Sequence, residues 1–149
     1  MNSTRIERFV AIAARWILGL VFLVAAIPKI VAPHDFARVV FHYQMVPYPL
    51  VSLFGIYLPW LELVAALALL FAPRFRDASA WILLGLLIVF TAAIAANLVR
   101  GIDIACGCFS VDPKTGHLGA WNLIRNGFLI ALALAALILS PRADPSADR

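Results

Sequence analysis

The amino-acid sequence predicts an all-α integral membrane protein, a four-helix bundle with a short interfacial amphipathic helix between helices 1 and 2. Hydrophobic residues make up 64% of the 149 residues and charged residues 13%, and the mean hydropathy is +0.96. Soluble domains usually have about 25% charged and about 45–50% apolar residues. The apolar residues also fall into four stretches of about 20 residues, the length of a membrane-spanning helix.

The first span is expected at about residues 10–31, around "RWILGLVFLVAAIPKIV". A cleaved signal peptide is the alternative interpretation, since basic residues precede the stretch and "VAA" stands before Ile27. The apolar run is long for a signal peptide. It also continues into Pro28 and Lys29 rather than into a polar mature start, which favours a span.

The segment 32–49 that follows predicts a short helix at the membrane interface. Its apolar residues recur at helical spacing, with charged and polar residues elsewhere on the wheel, at Phe36, Val39, Val40 and Tyr43. Pro47 and Pro49 then end the helix.

The other three spans are expected at about residues 50–72, 78–99 and 119–140. Residues 141–149 form a polar tail that we expect to be disordered. The sequence thus predicts one transmembrane domain over residues 1–149.

The basic residues predict the orientation in the membrane, because cytoplasmic loops carry an excess of Lys and Arg. The side that holds both termini has Arg5, Arg8, Arg15, Arg74, Arg76, Arg142 and Arg149. The other side has Lys29, Arg38, Arg100 and Lys114. In a bacterial inner membrane this bias places both termini in the cytoplasm and residues 101–118 in the periplasm, where disulfides are permitted.

The net charge of +4 does not indicate a nucleic-acid partner. The basic residues form no stripe with interleaved aromatic residues and instead stand at the ends of the apolar runs. The partner that this distribution favours is the lipid bilayer.

The two cysteines of the chain stand together as Cys106-Gly107-Cys108 in the long polar loop before the last span. One interpretation is a pair of buried small hydrophobic residues. Another is a Cu(I) or zinc site, although a closed zinc site needs four ligands and the further ligands nearby are His117 and acidic residues. The interpretation we favour is a redox-active pair without metal.

The spacing of Cys106 and Cys108 supports the redox interpretation. A disulfide needs Cα atoms about 4.4–6.8 Å apart, which residues i and i+2 reach if the intervening glycine turns the backbone. So small a ring is expected to be strained, and strained disulfides are the labile ones used in exchange. Loop-closure stabilisation is also least for the shortest loops.

Polar residues within the spans are the other candidates for function. Glu62 stands in the middle of the second span and is expected to pair with a cation, with Lys29 or Arg125 preferred. Asn122, Arg125 and Asn126 share one face of the last helix. This face predicts either polar contacts between helices or a pocket for a quinone headgroup.

These residues lie in motifs through which the chain resembles the MauE family, the methylamine utilisation proteins, within the DoxX-like superfamily of small four-helix membrane proteins. The motifs are "LPWLEL" (58–63), "CGCF" (106–109) and "WNLIRN" (121–126). The resemblance spans nearly the whole chain from Arg15 to about Leu139. The family pattern usually has glycine after "CGCF", whereas this chain has Ser110.

The resemblance implies an inner-membrane protein that aids maturation of the disulfide-rich β-subunit of methylamine dehydrogenase beside a periplasmic thioredoxin-like partner. Cys106 and Cys108 would then act in thiol–disulfide exchange. Two other functions stay open. One is a non-catalytic assembly or anchoring subunit, and the other is a quinone-linked sulfur oxidoreductase of the kind that DoxX-like relatives suggest.

Overall fold

The computed structural model describes residues 3–101 and 120–139, and the secondary structure in these ranges is helical, apart from short connections. The helices are α1 (Ser3–Val31), α2 (Pro33–His42), α3 (Tyr48–Phe71), α4 (Arg76–Val99) and α5 (Ala120–Ile138), with a 3-10 turn at Pro73–Phe75. Four of them, α1, α3, α4 and α5, are long and apolar enough to cross a membrane. The predicted helical membrane bundle is confirmed.

The four long helices pack through small and branched apolar side chains. Buried alanines and leucines from all four form one core, which includes Leu18, Phe22, Ala65, Ala66, Leu69, Leu83, Leu87, Leu129 and Ala133. Gly19 lets α1 approach α3 closely, because a Cβ at this position would lie 2.6 Å from the Leu70 side chain. Small residues at such contacts are typical of helix packing in membranes.

The outer surface of the bundle is apolar. Large hydrophobic side chains are exposed along every long helix, among them Trp16, Val24, Trp60, Trp81, Ile88 and Phe128. In water such a surface would be an unusually large apolar patch, whereas in a bilayer it is the surface that contacts lipid.

The short helix α2 follows α1 almost without interruption. The Ala32 backbone N–H still donates to the Pro28 carbonyl at 3.0 Å, and α2 begins at Pro33, a favourable first position because proline lacks the N–H that would have no partner there. α2 packs against α3 at Gly55, where a Cβ would lie 2.8 Å from the Ala37 Cβ. Gly55 therefore sets how closely α2 approaches the bundle.

Successive spans run in opposite directions, so the connections alternate between the two ends of the bundle. The connection through α2, the end of α4 and the start of α5 share one end, and the 3-10 turn lies at the other. Just beyond the end of α4, Gly101 has a left-handed backbone with a φ of 69°, a common helix stop. The predicted redox residues Cys106 and Cys108 lie outside the described residues.

Candidate functional site

A buried ion pair joins α1 to α3. The Lys29 Nζ donates to both carboxylate oxygens of Glu62, at 2.9 Å to Oε1 and 2.7 Å to Oε2. Lys29 is 2% exposed and Glu62 0%. An isolated charge at the centre of a spanning helix costs roughly 2.5–3.5 kcal/mol on insertion scales, and the two-point contact offsets that cost for both groups.

Two phenylalanines also lie close to the Lys29 ammonium. The Nζ lies 5.3 Å from the ring centroid of Phe36 on α2 and 5.2 Å from that of Phe90 on α4. Both distances fall within the range of a cation–π contact, which is strongest where water is excluded. Groups from four helices thus meet at one ammonium.

A cavity of about 330 Å³ lies between Lys29 and α2. Lys29 is the one charged residue among the described residues that line it, and the rest of the wall is mostly aliphatic and aromatic, including Phe36, Val40, Tyr43, Phe54, Leu58 and Phe90. Small-molecule sites in proteins have this character, with mostly apolar walls and a few placed polar groups.

A much smaller cavity, of about 20 Å³, lies on the α5 side of the ion pair, lined by Glu62, Lys29 and Asn126 among others. This volume is close to what one water molecule needs. The Asn126 Nδ2 donates to the Thr91 Oγ1 at 3.3 Å, and the Thr91 hydroxyl donates to the Leu87 carbonyl at 2.6 Å. A polar contact between α4 and α5 therefore borders the ion pair.

Asn97 is a further buried polar residue near the end of α4. Its side chain is 0% exposed, and its Nδ2 donates to the Ala93 carbonyl at 2.9 Å. Its Oδ1 accepts no hydrogen bond from the described part of the chain. Asn97 is four residues before Gly101, close to the end of the bundle from which the cysteine-containing connection departs.

The family profile of the methylamine utilisation protein MauE matches residues 7–139 of this chain. The chain belongs to the MauE family. It is 39% identical over 146 residues to the methylamine utilization protein MauE of Methylophilus methylotrophus, which covers 97% of this chain and 74% of that protein. It is 35% identical over 148 residues to the protein of that name from Paracoccus denitrificans, covering 98% and 78%. No solved structure matches the chain significantly.

The structure of this MauE-family chain brings some of the predicted site residues together. Of the two cations expected for Glu62, Lys29 is the one in contact with it. Asn126 is buried beside the pair. Asn122 and Arg125 are half-buried on α5, and each has polar or electrostatic partners of its own.

Sequence reasoning did not find the cavity of about 330 Å³ in this MauE-family bundle. For Asn122, Arg125 and Asn126 the sequence allowed either polar contacts between helices or a quinone pocket on α5. The described residues that line the large cavity belong to α1–α4 and the segment after α2. The amphipathic pattern of α2 was a signal, because its apolar residues Phe36, Val39 and Val40 line the cavity, as does Tyr43 just after the helix. The spacing of these residues shows that they share one face, but it does not show which part of the bundle that face lies against.

The described residues contain no group of three or more His, Cys, Asp or Glu side chains placed to hold a metal ion. Cys106, Cys108 and His117, the residues weighed for a metal site, lie outside the described ranges.

Proposed function

We propose that this protein acts in methylamine utilisation as an inner-membrane thiol–disulfide redox protein, with Cys106 and Cys108 as its catalytic pair. Its partner is a periplasmic thioredoxin-like protein, and the exchange supports maturation of an exported, disulfide-bearing enzyme of the methylamine dehydrogenase β-subunit type. The observation that carries the proposal is membership of the MauE family in a chain whose two cysteines form one Cys-Gly-Cys unit.

The exchange proceeds through a mixed disulfide. A thiolate of the reduced partner attacks one sulfur of the Cys106–Cys108 disulfide, and the other sulfur leaves as a thiolate and takes a proton. The second thiol of the partner then loses its proton and attacks the mixed disulfide. The partner ends with a disulfide and this protein with two thiols, so two electrons and two protons have moved. Every step is reversible, and the relative potentials set the direction.

The helical frame supports a role for the Cys106–Cys108 unit at the membrane surface. α4 and α5 contact each other through Thr91 and Asn126, and the end of α4 and the start of α5 flank the segment 102–119. The excess of arginine on the side of the termini favours cytoplasmic termini and a periplasmic Cys106–Cys108 connection. Periplasmic thioredoxin-like proteins could reach it there.

Single substitutions of the two cysteines test the proposal. One of the two substitutions, Cys106→Ser or Cys108→Ser, removes the resolving thiol. That variant should accumulate a mixed disulfide, visible as a reductant-sensitive adduct on a non-reducing gel. The double variant should lose both the adduct and maturation of the exported enzyme. Ser110→Ala is the matched control, since it changes the same loop and keeps both thiols.

A non-catalytic assembly or anchoring subunit would behave differently. If neither single variant traps a partner and the double variant still supports maturation of the exported enzyme, thiol exchange is not the function of this protein.

A further inference from the structure

We propose that the cavity of about 330 Å³ between α1, α2, α3 and α4 binds the headgroup of a membrane quinone. In this site a ring carbonyl of the quinone accepts a hydrogen bond from the Lys29 ammonium. The quinone would be a membrane-soluble electron acceptor for the thiol pair, and this role of the ligand rests on the proposed function. Binding itself depends on the described residues alone.

The position of the cavity selects a ligand that enters from the bilayer. The described wall is apolar except for Lys29 and the Tyr43 hydroxyl. Part of its rim is exposed on the lipid-facing surface, with Val89 63% and Met45 48% exposed. A volume of about 330 Å³ is at the lower end of the range for small-molecule sites, enough for one substituted ring.

The charge balance selects a neutral acceptor over an anion. Both carboxylate oxygens of Glu62 are within 2.9 Å of the Lys29 Nζ, so the pair has no net charge with which to attract a phosphate or a fatty-acid carboxylate. An ammonium has three N–H donors, and within the described structure two are used by Glu62. The third can serve a carbonyl oxygen.

The aromatic residues suit a flat ring. Phe36 and Phe90 each line the cavity and each lie within about 5.3 Å of the Lys29 Nζ, so a carbonyl that reaches the ammonium brings its ring beside both phenyl groups. Aromatic rings in such contacts attract each other beyond what the buried area alone contributes. A saturated acyl chain would gain neither this contact nor the hydrogen bond.

The cavity lies towards the end of the bundle at which α4 ends. Its lining includes residues of α2 and Ala93 of α4, and Ala93 precedes Gly101 by eight residues, about 12 Å along a helix. The connection that contains Cys106 and Cys108 begins there. The dithiol would lose two electrons and two protons to form a disulfide, and the quinone would take up both to become a quinol.

Matched substitutions on neighbouring residues of α4 test the binding. Ala93 lines the cavity, whereas Ala92 is exposed on the outer surface. With the purified protein in lipid nanodiscs and decylubiquinone as the probe, Ala93→Phe should weaken binding at least tenfold by filling the cavity. Ala92→Phe, the same change one residue away, should leave the affinity unchanged. Equal binding by both variants would overturn the site.

A second comparison tests the carbonyl contact. Lys29→Met combined with Glu62→Met removes the donor without leaving an isolated charge. It should weaken decylubiquinone binding by about tenfold or more, as loss of a hydrogen bond to a charged group usually does. Decylbenzene has the same tail and no carbonyl. If it binds the unsubstituted protein as tightly as decylubiquinone does, the cavity is a lipid-tail groove and the quinone assignment is wrong.

The Cys106→Ser, Cys108→Ser double variant separates the two proposals. It should bind decylubiquinone with unchanged affinity even though it cannot exchange disulfides. Binding retained with no loss of client maturation would contradict the proposed thiol function and leave the quinone site intact. Failure of binding in every variant and in the unsubstituted protein would overturn the quinone site alone.

Discussion

The Lys29 Nζ lies 2.7 Å from the Glu62 Oε2 and 2.9 Å from the Oε1, which joins the last turn of α1 to the middle of α3. A buried ion pair is weak evidence for stability, because desolvation of both charges offsets much of their attraction. It does oppose any sliding of α1 along α3 that would separate the charges. The same contact fixes Lys29 in the wall of the large cavity.

Removing one member of this pair should cost more than neutralising the other. Lys29→Met leaves the Glu62 carboxylate buried without a cation and should lower the free energy of unfolding by about 3 kcal/mol. Glu62→Gln keeps an oxygen acceptor for the Lys29 ammonium, yet leaves that charge uncompensated. Because a lysine snorkels towards the interface more readily than a carboxylate, the Glu62→Gln loss should be smaller.

The measurement is an SDS titration of the purified protein in mixed micelles. The exposed pair Asp35–Arg38, with N–O distance 3.7 Å and side chains 53% and 78% exposed, provides the control. Asp35→Asn should change stability by less than about 1 kcal/mol. A Lys29→Met variant as stable as Asp35→Asn would contradict the structural role given to the pair.

Gly55 should control the distance between α2 and α3. A Cβ there would lie 2.8 Å from the Ala37 Cβ and 3.2 Å from its Cα, and neither atom can rotate away. Gly55→Val should therefore displace α2, destabilise the protein by about 1–3 kcal/mol and speed hydrogen exchange in residues 33–42. Gly85→Val is the control, because a Cβ at Gly85 meets nothing within 4 Å. Equal exchange in both variants would show that α2 is not held at Gly55.

The fold was predictable because the composition and length of the apolar stretches indicate the membrane spans. Each apolar stretch is long enough to require a helix in a bilayer. Pro47, the residue before α3, limits α2 to within a few residues of its observed end at His42. The membrane-facing surface follows from the same hydropathy. None of this depends on knowing which helix contacts which.

The site was predictable only in part, because it depends on such contacts. Glu62 required a cation, and the sequence reduced the choice to Lys29 or Arg125 without deciding between them. Which of them reaches Glu62 depends on the rotation of α1 and α5 about their axes and on their depth in the membrane. The sequence periodicity of nearly uniform apolar helices does not indicate either quantity. The cavity depends on how α2 packs against α3 and leaves a space beside α4, a tertiary arrangement with no local signature.

The orientation in the membrane can be tested with an impermeant thiol reagent. In intact cells under reducing conditions, Cys106 or Cys108 should be labelled, because the arginine bias favours a periplasmic position.

A second thiol tests the opposite end of the bundle. Arg74→Cys, in a background without Cys106 and Cys108, introduces a thiol at an exposed residue of the 3-10 turn. That thiol should be labelled only after the inner membrane is permeabilised, and the reverse pattern would invert the topology.

The contact between Asn126 and Thr91 should be much weaker than the ion pair beside it. Its 3.3 Å length is at the long end for a hydrogen bond, and side-chain hydrogen bonds between membrane helices contribute about 0.6 kcal/mol on average. A double-mutant cycle with Asn126→Leu and Thr91→Val, measured by SDS titration, should give a coupling energy below about 1.7 kcal/mol.

The comparable cycle for Lys29→Met and Glu62→Met should give a larger coupling energy, since each single change leaves a buried charge without its partner and the double change does not. A coupling energy for Asn126 and Thr91 equal to that of the ion pair would mean that α4 and α5, rather than α1 and α3, carry the main polar constraint of the bundle.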